Sequence, residues 1–283
     1  MLRIRRMRRG DINFAVRLAD QEDWGIPTRD FERILRLDPH GSFVAMENEK
    51  RVGLATTTSY GTQIAWIGNV VVEESRRGRH IGQALVEHAI GYLERKRVAR
   101  IALYCFEEHI EFYRKLGFKV GQGFARFRRR GRPALWLSTE PRDRKTMRRS
   151  AMLTMDRKAF GANRSRLIVN LLDSGAARYL GYSAGPMRSY ILAKDYADMW
   201  ELGPWVSFGL RRAQMEAMLR VILNTTKSKP IEITCPLTNR RILAMLSRFD
   251  FQTMKKGHMM CYKRLSKLGR PKAIVAYGFL DKG

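Results

Sequence analysis

Along the first 120 residues, apolar side chains recur at period 2 and then at helical spacing, as in strands interleaved with helices. Leu2-Arg-Ile-Arg-Arg-Met7 reads as a strand. Asp11 stands as an N-cap before Phe14, Val16, Leu18 and Ala19, an amphipathic helix that Trp24-Gly-Ile-Pro27 breaks. A second helix is predicted from about 29 to 37, stopped by Asp38-Pro-His-Gly41. Residues 42–46 and 52–59, with a charged turn between them, read as a hairpin. The run 64–72 is nearly uninterrupted apolar, as expected for a central strand covered on both faces. Beyond a loop at 73–79, Ile81, Leu85, Ala89, Tyr92 and Leu93 mark a helix. Strand, helix and strand follow at 100–104, 107–116 and 118–127.

A similar order then repeats. Helical patterns lie around Arg157 and over 165–172, and strand patterns over 178–183, 187–193 and 199–206. Helix 211–223, strand 231–235, helix 239–248 and strand 251–262 complete the second copy. Between the copies, 128–150 is rich in Arg, Pro and charge, with an apolar island at 134–137. The expected division is a first domain over 1–140, a linker over 141–150 and a second domain over 151–283, of ordinary domain size.

Composition narrows the function classes. Hydrophobic residues are 45% of the chain, too many for intrinsic disorder. No apolar run is long enough to span a bilayer, and Met1-Leu-Arg-Ile-Arg-Arg-Met-Arg-Arg-Gly10 has no apolar stretch of a secretory signal behind it. Cys105, Cys235 and Cys261 lie far apart, with neither metal-ligand spacing nor a disulfide framework. A cytoplasmic protein without a resident metal is the expectation. The formal net charge of +27 is shared by both halves, with clusters at 3–9, 126–132 and 142–149. Such clusters attract any polyanion, nucleic acid included, and by themselves select no partner.

One segment carries specific chemistry. The strand ending in Val70-Val71-Val72 runs through Glu73-Glu-Ser-Arg-Arg77-Gly78-Arg79-His80-Ile81-Gly82 into a helix. Free amides at the helix start, the positive end of its dipole, two glycines and flanking arginines suit a diphosphate. An ordinary strand–loop–helix corner is the alternative reading of these residues. Arg77-Gly-Arg-His-Ile-Gly82 resembles the Arg/Gln-x-x-Gly-x-Gly/Ala motif of the GNAT (Gcn5-related) N-acetyltransferases, with His80 where the middle glycine usually sits. Phe112-Tyr113-Arg-Lys-Leu-Gly117-Phe118 resembles a second signature of that family. The two motifs and the order of elements together cover about residues 1–127.

The resemblance implies an α+β fold of two GNAT-like domains, each a mixed, mostly antiparallel sheet flanked by helices. It implies acetyl-CoA as co-substrate, with its pantetheine arm along Val70, Val71 and Val72 and its diphosphate on Arg77, Gly78, Arg79, His80, Ile81 and Gly82. Acetyl transfer to a primary amine by direct attack follows, with Tyr113 as general acid for the leaving thiolate. Glu73 is the candidate base, with Glu22, Asp23 or a water chain as alternatives, because Trp66 stands where the histone-acetylating branch has its Glu. Trp24 and Tyr60 are candidates for the acceptor pocket. Phe106 replaces an Asn that touches the cofactor in many members.

The second half resembles the degenerate second domain of tandem GNAT proteins of the YitH type. Asn239 keeps the missing Asn, but Leu246 and Asp250 replace the Tyr and Gly, and no Arg-x-x-Gly-x-Gly precedes the helix from 211. The expected activity is acetylation of a small or amino-acid-like amine. A protein or peptide N-acetyltransferase, or a non-catalytic module that senses acyl-CoA or binds nucleic acid, are the other readings. The acceptor and the oligomeric state are not legible in the sequence.

Overall fold

The computed structural model describes residues 1–131, 147–184, 186–196, 198–226, 229–265 and 269–283. The chain forms two compact units that are not contiguous in sequence. One comprises Met1–Gly121, Met259–Ser266 and Leu280–Gly283, and the other Gln122–His258 and Lys267–Phe279.

The first unit holds β1 (Leu2–Arg6), α1 (Ile12–Gln21), α2 (Thr28–Leu37), β2 (Ser42–Glu47), β3 (Lys50–Tyr60), β4 (Ile64–Val72), α3 (Ile81–Arg95), β5 (Ile101–Phe106) and α4 (Ile110–Lys115). The start of β6 (Phe118–Arg129) also belongs to it. Strands β1 to β4 are antiparallel neighbours in order, and β5 joins β4 in parallel. Both faces are covered, which explains the near-continuous apolar runs. On one face Phe43, Ala45, Ala65 and Ile67 pack with Ile81, Leu85, Ala89 and Leu93 of α3. On the other, Val44, Met46, Leu54 and Val71 pack with Phe14, Leu18, Phe31 and Ile34 of α1 and α2. The alternation of Phe43/Ala45 with Val44/Met46 is the period of 2 that assigns neighbours to opposite faces.

Asp11 occupies the expected cap position before α1, but its carboxylate does not cap that helix. It is buried and accepts from Arg5 at 2.7 and 2.9 Å, from Arg51 at 2.7 Å and from the Arg8 amide at 2.8 Å. Burial alone would favour the neutral acid, yet the hydrogen bonds from Arg5, the Arg8 amide and Arg51, with the Arg5 charge, hold the group down at about 2. A folded value below the unfolded one means that stability is present above the ordinary Asp range and lost as pH falls toward 2. Asp11→Asn should therefore flatten the fall in melting temperature between about pH 5 and 2, the window set by those two values. An unchanged acid limb would show that Asp11 does not contribute to it.

The second unit holds the rest of β6, α5 (Arg149–Phe160), α6 (Ser165–Asp173), β7 (Ala177–Ala184), β8 (Met187–Asp195), β9 (Trp200–Phe208), α7 (Arg212–Thr225), β10 (Ile231–Pro236), α8 (Arg240–Arg248), the first part of β11 (Gln252–Tyr262) and β12 (Ile274–Ala276). Its strands run in the order β6, β10, β9, β8, β7, with β12 on β9. Helices α7 and α8 cover one face through Met218, Leu219, Ile222, Ile242 and Leu246. Helices α5 and α6 cover the other through Met152, Met155, Ala159 and Ile168.

These units correct the contiguous division expected at residue 140. The chain leaves the first unit within β6 and returns to it within β11, so Met260 packs beside Leu103 and Phe118 in the first core. A strand's alternation says which face is buried, not which strand lies beside it. Of the expected linker, 141–146 fall outside the described residues, as does the apolar island at 134–137. Arg149 and Ser150 already form the first turn of α5.

Candidate active site

In the first unit β4 and β5 are ladder partners only at Ala65↔Ile101 and Trp66↔Ala102. Beyond them β4 stays with β3 as far as Val72 and leaves β5. The departure coincides with a register shift opposite Leu54/Thr56 and with Asn69 at φ +50°, a left-handed residue inside a strand. The Val70-Val71-Val72 edge therefore faces a wedge between two parallel strands. Val70 and Val72 turn their side chains to the α3 face and Val71 to the α1/α2 face.

Below that wedge α3 begins at Ile81, with no side chain capping it. The first helical bond, Ala84 N to His80 O at 3.0 Å, leaves the amides of Ile81, Gly82 and Gln83 ahead of the ladder. Gly78 has φ +76° and open space where a Cβ would stand. At Gly82 a Cβ would make only ordinary contact with Phe112 and Val72. Backbone amides at a bare helix start fit a diphosphate.

The arginines of the loop are engaged otherwise than expected. Arg77 bonds the Val72 carbonyl at 3.3 Å and pairs with Glu22, while Arg79 and Arg76 both pair with Glu47, at 2.7 and 2.9 Å. They pin the loop to the end of β4, to the β2–β3 hairpin and to the end of α1. Glu22 is thus an arginine partner, and Glu73 likewise pairs with Arg17 of α1 at 2.7 Å.

His80 is the N-cap of α3 with φ +58°, which explains why glycine commonly stands at that place in the motif. Its ring meets Gln83 Oε1 at 3.2 Å. Removing the Cβ relieves about 1–2 kcal/mol of left-handed strain, offset by about 0.5–1 kcal/mol of added unfolded-chain entropy. His80→Gly should therefore raise the melting temperature slightly, and His80→Val should lower it. A clear loss of stability on His80→Gly would mean that the ring contact outweighs the strain.

Tyr113 on α4 lies against the α3-face core, edge-on to Phe112 and to Phe118, with centroids at 4.9 and 5.8 Å. Burial, and next the nearby Cys105 thiol, push its phenol above the ordinary tyrosine value. Trp24 packs with the α1/α2 core just after α1. Tyr60, at the end of β3, is buried and donates to the Lys282 carbonyl at 2.7 Å. Trp66 is buried and stacks on Tyr104 of β5, centroids 4.6 Å apart.

Sequence reasoning missed Asn69, Tyr104 and the segment Leu280–Gly283 of this unit. Asn69 Nδ2 donates to Thr56 Oγ1 at 3.0 Å and to Asp281 Oδ2 at 3.2 Å. Its signal was visible, since Asn69 is the single strongly polar residue in the apolar run of β4. Nothing in the sequence tied Asp281 and Lys282 to that strand.

The second unit has the corresponding parallel pair, β9 and β10, joined at Ile231↔Trp200 through Ile233↔Leu202. There the wedge is filled by the chain itself. Strand β12 pairs with Trp205 and Val206 of β9, and Tyr277 bridges to Thr234 of β10 with an N–O distance of 2.8 Å. A cofactor arm would have to displace that strand.

The basic clusters are largely consumed within their own units. Arg5, Arg9 and Arg3 pair with Asp11, Glu32 and Glu49, Arg126 and Arg128 share Glu232, buried Arg129 donates to the Phe249 carbonyl, and Arg149 pairs with Asp173. Arg132, Arg142 and Arg144 lie outside the described residues. Among the described residues no helix is long and apolar enough to cross a membrane, and no His/Cys/Asp/Glu group could hold a metal ion.

Two family models match the chain, "Acetyltransferase (GNAT) family" over residues 12–118 and "Acetyltransferase (GNAT) domain" over 152–272. The chain is 34% identical over 102 residues to serotonin N-acetyltransferase 2, chloroplastic, of Oryza sativa subsp. japonica, covering 34% of this chain and 51% of that one. The chain spans about half or less of the length of the curated relatives it matches first. A crystal structure of a Pyrococcus horikoshii protein is similar over 100% of this chain and 96% of its own, with TM-score 0.78 and 21% identity. A tandem GNAT protein from the clavulanic acid biosynthesis pathway is similar over 94% of this chain and 100% of its own, with TM-score 0.67 and 14% identity.

Proposed function

The chain belongs to the GNAT acetyltransferase family, with two of its domains in tandem, and from that premise we propose that its first unit acetylates a small primary amine while its second binds no cofactor. The observation that carries this reading is the contrast between the units. The wedge beside Val70–Val72 opens over the bare start of α3, whereas the wedge between β9 and β10 holds β12.

GNAT acetyltransferases use acetyl-CoA, which supplies an acetyl group activated as a thioester. In this chain the amides at 78–83 hold the diphosphate, and the β4 edge at Val70, Val71 and Val72 meets the amide-bearing arm. Arg77 and Arg79 keep the loop in that shape through Glu22 and Glu47. Tyr113 holds a proton for the departing thiolate, and burial keeps that proton in place across the ordinary pH range. Because Arg17 already engages Glu73, water rather than Glu73 takes the proton of the amine in this reading. Trp24, Tyr60 and the Trp66–Tyr104 stack are assigned to the acceptor side in this reading, and their aromatic character suits a compact acceptor.

Calorimetric titration with acetyl-CoA tests the reading. The expected result is one site per chain, abolished or weakened at least tenfold by Gly78→Val, which puts a β-branched side chain at φ +76° beside the amides. Two sites per chain would assign a working cleft to the second unit, and no binding would remove the reading. A screen of amines for thiol release then identifies the acceptor.

A further inference from the structure

We propose that Lys282 is an internal acceptor, a lysine that the first unit acetylates on its own chain; this rests on the acetyltransferase reading above. The segment Leu280–Gly283 lies on the face of β3 and β4 at the point where β4 leaves β5. Asn69 Nδ2 donates to Asp281 Oδ2 at 3.2 Å, and Tyr60 Oη donates to the Lys282 carbonyl at 2.7 Å. A side chain on Gly68 would collide with the backbone of Asp281, and one on Gly283 would collide with the Trp66 indole. These contacts seat Asp281 and Gly283 on β4, the strand whose edge faces the wedge, and Lys282 on the end of β3 beside it.

The charge arrangement is that of a held amine. Lys282 is buried, and its Nζ lies 2.5 Å from Asp281 Oδ2, the oxygen that also accepts from Asn69. A buried ammonium needs such a partner. The consequence here is that a primary amine and a carboxylate able to take its proton stand together beside Asn69, the kinked residue of β4. In a surface segment with no such role, a lysine would turn its ammonium to water.

The step balances with acetyl-CoA as the only co-reactant. Asp281 takes one proton from the Lys282 ammonium. The freed Nζ lone pair forms a C–N bond to the acetyl carbonyl carbon as the C–S bond breaks. Tyr113 gives its proton to the departing sulfur, which leaves as the thiol, and takes up the second amine proton in its place, while Asp281 returns its own proton to water. Acetylation removes the positive charge that Asp281 holds, so the modified segment loses its ion pair on β4.

Two measurements on the full chain test this. The protein is incubated with acetyl-CoA and no added amine, then followed by intact mass and peptide mapping. One acetyl per chain on Lys282 is expected, at a rate independent of protein concentration, ahead of exposed lysines such as Lys50 and absent in Lys282→Arg. In the absence of acetyl-CoA, an amine-reactive ester should label Lys282 at least tenfold more slowly than Lys50, because its Nζ is buried against Asp281. Labelling as fast as Lys50 would show that the segment does not rest on β4, and the proposal falls. If Lys282 stays unmodified while an added amine is acetylated, the proposal also falls and the acetyltransferase reading stands. If calorimetry finds no acetyl-CoA binding at all, it is the underlying reading that has failed.

Discussion

Tyr113→Phe is expected to lower turnover about a hundredfold while changing acetyl-CoA affinity by less than twofold, near the low end of the usual range for a positioned proton donor. The low end follows from the environment. Burial raises the phenol above its ordinary value, so Tyr113 is a weaker acid than the thiol it faces in this reading, and it acts by hydrogen-bonding the departing sulfur. The same shift has a pH signature. A raised phenol stays protonated to higher pH, so ionisation of Tyr113 should not reduce turnover below about pH 10, the ordinary tyrosine value. Steady-state kinetics with the first acceptor found, across pH and for both proteins, check both statements. Equal turnover in the phenylalanine variant, or an alkaline fall below pH 10 that this variant abolishes, would remove the assigned role.

Asp156→Ala should produce the largest loss of stability, about 3–5 kcal/mol, because it removes the carboxylate paired with a buried guanidinium. In the second unit Arg164 is buried, bonds Asp156 through Nε at 3.0 Å and Nη2 at 2.8 Å, and lies over the Phe160 ring at 4.2 Å. The Tyr190 hydroxyl donates to the same carboxylate, and burial first, then the Asp156 charge, push that phenol well up. Denaturant unfolding followed by tryptophan fluorescence reports on this unit through buried Trp200 and Trp205. Replacing both partners together with apolar residues should recover much of the loss, since it is the uncompensated charge that costs most. A single-variant loss under 1 kcal/mol would mean that water reaches Arg164.

These two residues also mark how much could be read in advance. Tyr113 was singled out because Phe112-Tyr113-Arg-Lys-Leu-Gly117-Phe118 resembles a family signature, a local pattern on one helix and the strand after it. Asp156 gave no sign of its Tyr190 partner, because nothing in its neighbourhood says that the hydroxyl of Tyr190, on another element, donates to it. The element pattern was legible for the same local reason. The apolar run at 64–72 became β4 with those bounds, and the helices at 81–95, 212–225 and 240–248 lie where the spacing put them. The glycine-rich loop was legible too, although its arginines turned out to hold Glu22 and Glu47.

Periodicity and motif, which depend on neighbours within a few residues, determined by themselves the strands, the helices, the repeat and the glycine-containing loop before α3. Tertiary structure alone decided the rest. It placed Met260 in the first core, set β12 into the wedge of the second unit, tied Glu73 to Arg17 and laid Asp281 and Lys282 on β4. The physical reason is common to all four. Each is a contact between segments far apart in the chain, fixed by which surfaces meet when the sheets close, and a side chain carries in its local sequence no record of the partner it will meet.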